Sequence, residues 1–167
     1  VVIYTSDHGE LLFDHGLVQK HCFYEGAVGV PLIMAGPGLP QGARREHIVS
    51  LLDLYPTIAA MCGITPPSGL EGEPLQGVID GNAPVENRRA FSEFYAFGYA
   101  ERMIRTPRWK YIHSDNFAPQ LYDEVADPQE KVNLADNGAY IGICRELEAA
   151  LFNGWEKHEF KPDGNKK

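Results

Sequence analysis

The sequence predicts an α/β fold that is followed by a small antiparallel β-sheet subdomain with a C-terminal helix. Two short apolar runs, residues 1–5 and 31–34, have the continuous hydrophobicity of parallel-type strands covered on both faces. Later segments alternate in polarity between turn residues, as in an antiparallel meander. We therefore divide the chain into an α/β part (1–84), a β subdomain with its helix (85–160) and a tail (161–167) that we expect to be disordered.

The middle of the α/β part has the end signals of a helix over residues 53–63. Asp53 can accept hydrogen bonds from free first-turn amides, and Pro56 lacks only an amide that has no helical partner. Gly63 can end the helix in a left-handed conformation. We expect a short strand just before it, at residues 47–49, and the Pro- and Gly-rich connector after it marks a boundary.

Four strands and one helix make up the predicted subdomain. The strands are residues 91–95, 102–105, 109–113 and 120–123. The helix covers residues 140–155 and has an apolar face sufficient to dock on the sheet. That face consists of Cys144, Leu147, Leu151 and Trp155.

Composition excludes several classes of protein. The net charge of -8 argues against non-specific nucleic-acid binding, and no apolar run is long enough to span a bilayer. The three cysteines are scattered, which indicates neither a disulfide framework nor a zinc ribbon. Because the chain begins without Met and directly in a core-type strand, we interpret it as the carboxyl-terminal part of a longer protein. The cellular compartment stays open, since any export signal would lie upstream. The oligomeric state also stays open.

Chemistry concentrates after the first strand, where Asp7, His8 and Gly9 follow one another. Ligand sites gather at the carboxyl ends of strands in α/β sheets. An adjacent carboxylate and imidazole can turn to one divalent cation there, and a glycine lets the backbone pass close behind. Lys20 can supply a compact positive charge for an anionic oxygen. The pattern indicates a site for a metal and an anion.

A series of short motifs extends from residue 1 to about residue 135. They are Thr5-Ser6-Asp7-His8-Gly9-Glu10, Asp14-His15-Gly16-Leu17, Lys20, Phe23-Tyr24-Glu25-Gly26, Val30-Pro31-Leu32-Ile33, Gly36-Pro37-Gly38, Asp53-Leu54-Tyr55-Pro56-Thr57, Ile104-Arg105-Thr106, Trp109-Lys110-Tyr111, Leu121-Tyr122-Asp123, Asp127-Pro128 and Asn133-Leu134. In this order they resemble the second half of a sulfatase, in the alkaline-phosphatase-like superfamily. The resemblance is specific for the family and says little about the particular substrate.

The resemblance implies roles for individual residues. Asp7 matches the metal-ligand aspartate, and His8 matches the adjacent ligand, which is Asn in many relatives. Lys20 matches the catalytic and substrate-binding lysine that holds a sulfate oxygen and stabilises the leaving group. The implied cofactor is a divalent metal, Ca²⁺ first and Mg²⁺ or Mn²⁺ next, beside a formylglycine nucleophile. The implied substrate is a small-molecule or carbohydrate sulfate ester, with no nucleic acid or membrane as partner.

Three features of the sequence depart from the family pattern. No cysteine lies in the Cys-x-Pro-x-Arg-like motif from which formylglycine is made, although Lys20 could lower the pKa of the nearby Cys22 thiol. The paired aspartates that complete the metal site are also missing, so we expect the chain to be inactive by itself. Relatives usually carry Arg where this chain has Gly29.

Other interpretations and residues stay open. The same fold could hydrolyse a phosphonate monoester or a phosphodiester, or more remotely serve a phosphomutase, and His8 slightly favours that rival because nitrogen ligands suit Mn²⁺ or Zn²⁺. The chain could also be a non-catalytic binding or assembly module. His15 could reach the substrate from the Lys20 loop, and His113 could do so from the subdomain, as could Arg102 or Arg105. We expect Glu25 to orient Lys20 or to cap the next turn.

Overall fold

The computed structural model describes residues 1–96 and 99–153 of the 167-residue chain. Among the described residues, the first part of the chain contains two strands and three α-helices, and the second part contains four strands and one α-helix. In chain order they are β1 (Val2–Thr5), α1 (Glu25–Val28), β2 (Leu32–Ala35), α2 (Leu54–Met61), α3 (Gln76–Ile79), β3 (Ala90–Ala96), β4 (Tyr99–Arg105), β5 (Trp109–Ser114), β6 (Gln120–Asp123) and α4 (Ile141–Asn153).

The first two strands pair directly, and they pair antiparallel. Val2 lies opposite Ala35, and Thr5 lies opposite Leu32. The prediction of parallel-type strands is therefore wrong in direction, because an apolar run reports burial and carries no information about which way the neighbouring strand runs. Exposure alternates along both strands, so one face of the pair is open within these residues.

The second sheet confirms the predicted meander, with four antiparallel strands in the order β3-β4-β5-β6. Because side chains alternate across a strand, neighbouring residues serve opposite faces. On one face, Ile104, Tyr111 and Leu121 pack with two buried leucines of α4. On the other face, Met103, Ile112 and Tyr122 pack with Phe23, which lies two residues before α1. The sheet thus docks α4 on one side and the segment of Phe23 on the other.

The predicted helix over 53–63 is present, with different chemistry at its start. A 3₁₀ turn precedes α2, and Ser50 caps that turn through a reciprocal pair of hydrogen bonds with Asp53. The buried Asp53 carboxylate also accepts hydrogen bonds from the Glu73 amide and from Arg88, at 2.8 and 2.6 Å. Gly63 has the expected left-handed conformation, with φ 68°.

Three further expectations have mixed outcomes. Residues 47–49 form no strand in the part of the chain that the structure describes, since they pair with neither described sheet. The connector contains the short helix α3, which lacks the periodicity that would have predicted it. Cys144, Leu147 and Leu151 share the docking face of α4 as predicted. Trp155 and the tail 161–167 lie outside the described residues, and no described helix is long and apolar enough to cross a membrane.

Candidate active site

A closed loop brings the predicted site residues together. The Glu10 carboxylate accepts a hydrogen bond from the Gln19 amide at 2.5 Å, and the Leu11 amide donates to the Gln19 carbonyl at 3.1 Å. These two hydrogen bonds hold the end of the loop against its beginning, so Lys20 lies beside His8. Within the loop, four residues other than glycine have left-handed backbones: Leu12, Phe13, His15 and Gln19.

Asp7, His8 and Lys20 form one contiguous polar group, as the sequence predicts. The Lys20 ammonium lies 2.5 Å from Nε2 of His8, and the same Nε2 lies 3.5 Å from the Asp7 carboxylate. The Asp7 side chain is 84% exposed, whereas that of His8 is 36% exposed. The group is therefore open to a ligand on the Asp7 side.

The backbone around Gly9 fixes the orientation of the His8 ring. Nδ1 of His8 lies 2.7 Å from the Gly9 carbonyl, so Nδ1 donates and the lone pair of Nε2 is left to accept. The Gly9 amide donates to the Ala27 carbonyl at 2.8 Å. A Cβ at Gly9 would collide with the Gly26 carbonyl oxygen, which confirms that the backbone passes close behind at this position.

The donor set fits a divalent metal as far as this chain supplies it. A carboxylate oxygen and an imidazole nitrogen 3.5 Å apart have the separation of two neighbouring ligands, since each bond to such a metal measures about 2.0–2.6 Å. The pKa of the Asp7 carboxyl lies below its ordinary value. Desolvation raises this pKa, but the combined effect of His8, the backbone amides and Lys20 lowers it by more. Among the described residues, no group of three or more potential ligands occurs.

The two less specific candidates lie elsewhere. The His15 ring stacks on Tyr24, with 3.8 Å between centroids, in the wall of a cavity of about 540 Å³ that Gln129 and Lys131 also line. His113 lies 3.3 Å from Glu148 of α4 and 3.5 Å from Asp115. The contacts of His113 thus belong to the subdomain, and substrate binding by either histidine stays a prediction.

Sequence reasoning missed a buried charge cluster, which we call the Lys110 cluster: Lys110, Arg105, Glu25, Glu124 and Glu130. The Glu25 carboxylate lies 2.7 Å from Lys110 and 3.4 Å from Arg105, so its described ion pairs are not with Lys20. One signal was available in the sequence, because Lys110 stands between two aromatic residues, Trp109 and Tyr111, at the start of β5. The expectation of a lowered Cys22 pKa is wrong, since burial raises the pKa of that thiol.

Comparison with known proteins identifies the family. Residues 13–157 match the family described as N-sulphoglucosamine sulphohydrolase, C-terminal. Arylsulfatase K from Homo sapiens is 39% identical over 147 residues, and the Mus musculus protein is 38% identical over the same length. Each match covers 81% of this chain and 27% of the relative. The chain belongs to the sulfatase family and corresponds to a C-terminal portion of its members.

Solved structures of similar fold agree with this assignment. A putative sulfatase from Bacteroides thetaiotaomicron matches with a TM-score of 0.83 and 33% identity, over 91% of this chain and 35% of its own. A protein in complex with its substrate D-glucosamine-2-N,6-O-disulfate matches with a TM-score of 0.81 and 30% identity, over 89% and 32%. A phosphonate monoester hydrolase of Agrobacterium radiobacter gives 0.78 and 31%, over 91% and 34%. The chain therefore spans about a third of these structures.

Proposed function

We propose that this chain supplies part of the metal and sulfate site of a sulfuric ester hydrolase. The observation that carries the proposal is the contact of Asp7, His8 and Lys20 in one open group, within a chain of the sulfatase family. The substrate that we propose is a small-molecule or carbohydrate sulfate ester. A sugar sulfate is favoured because one structural neighbour is bound to a sulfated glucosamine.

Each residue has a distinct task in this proposal. Asp7 and His8 hold a divalent metal, Ca²⁺ first, through a carboxylate oxygen and Nε2. When bound, the metal supplies positive charge that orients the sulfate ester. The Lys20 ammonium donates to a sulfate oxygen and offsets the negative charge that builds on the departing alcohol oxygen. The formylglycine nucleophile and the remaining carboxylate ligands belong to parts of the protein beyond these 167 residues, so the chain by itself is inactive.

The contacts of His8 leave one ring nitrogen for the proposed metal. The Gly9 carbonyl lies 2.7 Å from Nδ1 and orients the ring, so Nε2 would be the metal ligand. The Lys20 ammonium lies 2.5 Å from the same Nε2, which places it where it would donate to a sulfate oxygen beside that ligand.

The experiment uses the complete protein and three variants. Asp7→Ala and Lys20→Ala are each expected to lower kcat/KM on an aryl sulfate by about 100-fold or more, since each removes charge stabilisation from the transition state. Only Asp7→Ala is expected to weaken metal binding measured by calorimetry. Glu46→Ala is the matched control, because its exposed carboxylate pairs only with the exposed Arg44 among the described ion pairs. Turnover near that of the wild type in either site variant would refute the assigned roles.

A second candidate is hydrolysis of a phosphonate monoester or phosphodiester in the same site. It is favoured by the imidazole at position 8, which suits Mn²⁺ or Zn²⁺, and by the similar phosphonate monoester hydrolase. Paired assays on aryl sulfate, phosphonate and phosphodiester decide between the two. Phosphonate turnover far above sulfate turnover establishes the second candidate. Absence of all three activities in the complete, metal-loaded protein favours a binding or assembly module.

A further inference from the structure

Unlike the open candidate site, the Lys110 cluster contains three charged side chains that are almost fully buried. The Lys110 side chain is 0% exposed, and those of Glu124 and Glu130 are each 2% exposed. The Lys110 ammonium makes three contacts with carboxylates. It lies 2.7 Å from Glu130, 2.7 Å from Glu25 and 3.3 Å from Glu124. Charges that leave water lose hydration, so a cluster of this kind adds little net stability for its cost. A role in fixing geometry is the alternative that the contacts support.

Glu25 is the member of the cluster that belongs to the first part of the chain. It opens α1, whereas Lys110 and Arg105 lie on β5 and β4 of the second sheet. Glu130 holds α1 a second time, because its carboxylate accepts a hydrogen bond from the Glu25 amide at 2.7 Å. Both the side chain and the backbone at the start of α1 are thus tied to the subdomain.

The opposite side of α1 supports the site loop. The Ala27 carbonyl accepts the Gly9 hydrogen bond, and the Gly26 carbonyl leaves no room for a side chain at position 9. The Gly9 carbonyl in turn holds the His8 ring. A continuous series of contacts therefore leads from Lys110 through α1 and Gly9 to the imidazole.

We propose that Lys110, Glu25 and Glu130 are positioning residues. They hold α1 in the position, relative to Gly9, that orients Asp7 and His8 for metal binding. This inference rests on the proposed metal site. The subdomain then affects metal binding indirectly, by holding α1 in place. Loss of its charges would let α1 and the Gly9 backbone shift away from the metal.

The test compares Glu25→Gln with Glu93→Gln in the complete protein. Both substitutions neutralise a carboxylate that pairs with an arginine of β4: Glu25 with Arg105, and Glu93 with Arg102. Of the two, Glu25 belongs to α1. Glu25→Gln is expected to weaken metal affinity by about 10–100-fold, the usual effect of removing a partner that orients ligands, whereas Glu93→Gln leaves it near the wild-type value.

A second readout needs neither metal nor substrate. Amide hydrogen exchange in residues 7–11 is expected to be faster in Glu25→Gln than in the wild type and unchanged in Glu93→Gln. Equal metal affinity and equal amide hydrogen exchange in Glu25→Gln and Glu93→Gln would overturn the proposal, even if the melting temperature of both variants falls. Lys110→Met is a further variant with the same expected loosening of residues 7–11. If the wild type hydrolyses no sulfate ester but Glu25→Gln still weakens metal binding and loosens the loop, the proposed function fails and the positioning role stands.

Discussion

Gly9 is the residue at which the chain has the least freedom in the candidate site. Its amide is bonded to Ala27, its carbonyl is bonded to His8, and the Gly26 carbonyl faces the place where a Cβ would be. No left-handed backbone is involved, so the requirement for glycine comes from space alone. The imidazole therefore depends on a position at which no larger residue fits.

We predict that Gly9→Ala destabilises the protein by about 1–3 kcal/mol, because backbone must move to admit the methyl group. Metal affinity is expected to fall with it, since the shifted carbonyl no longer holds the His8 ring. Gly142→Ala is the control, because nothing lies near its Cβ position in α4 and alanine there raises helix stability by up to about 1 kcal/mol. Denaturant unfolding and metal titration of both variants give the comparison. A Gly9→Ala variant that unfolds and binds metal like the wild type would contradict the steric requirement at this position.

Sequence reasoning predicted that Asp7, His8 and Lys20 lie together because they are close in the sequence. A carboxylate, an imidazole and a glycine after an apolar strand are visible in ten residues, and Lys20 is only 12 residues from His8. The ion pair of Glu25 and Lys110 was not predictable from the sequence, since it joins residues 85 positions apart that no periodicity relates. Burial of an ammonium among carboxylates is a property of the tertiary structure.

At the scale of elements, patterns with a clear period predicted the structure well. The four strands of the meander and the apolar face of α4 appear where alternation and helical spacing place them. The direction of β2 relative to β1 was wrong, because two continuous apolar runs are compatible with either direction. The same limit applies to α3, whose four residues are too few to show a helical period.

The Lys110 cluster contains two cations and three carboxyl groups, brought together by the packing of β4, β5 and α1. With all five groups ionised, its net charge would be -1, and Glu124 is the carboxyl group that we expect to be protonated first. Oε1 of Glu124 accepts no hydrogen bond from the described residues. Burial is the largest cause that raises the pKa of Glu124 to about 7, and Glu130 and Glu25 add to it against the opposing effect of Lys110 and Arg105. A proton on Glu124 therefore balances the cluster at slightly acidic pH.

The sign of the pH effect follows from that pKa. An unfolded Glu loses its proton near its ordinary pKa of 4.5, whereas the folded Glu124 keeps it up to about pH 7. The folded state binds more protons in this window, so stability falls as pH rises from about 4.5 to 7 and then stays level with respect to this group. We predict that the stability of Glu124→Gln, which cannot ionise, rises by about 3 kcal/mol relative to that of the wild type between the two ends of the window. Urea unfolding at pH 4.5 and pH 8 measures the gain, and a variant no more favoured at pH 8 than at pH 4.5 would refute it.

At the scale of the whole molecule, the most distinctive feature is an open apolar face on the first sheet. Val2, Tyr4 and Ile33 are 70, 63 and 60% exposed, and Ala35 completes the face. Tyr4 and Ile33 are direct partners across the two strands. Such a face favours association with another chain, as do the outer edges of β1 and β2, which pair with no other strand among the described residues. The second sheet, covered by α4 and by Phe23, has no comparable exposure among its core positions.

We predict that the 167-residue chain, prepared by itself, self-associates at micromolar concentration through the first sheet. The double variant Tyr4→Lys, Ile33→Glu is expected to shift the sedimentation equilibrium to monomer, because opposite charges at partner positions preserve the strand pair while they remove the apolar face. Val125→Lys is the control, since Val125 is also 70% exposed but follows the last strand of the other sheet. A wild-type chain that is monomeric throughout, or an equal effect of the control, would contradict the prediction. Association that depends on Tyr4 and Ile33 would identify the apolar face of the first sheet as the surface through which the 167-residue chain self-associates.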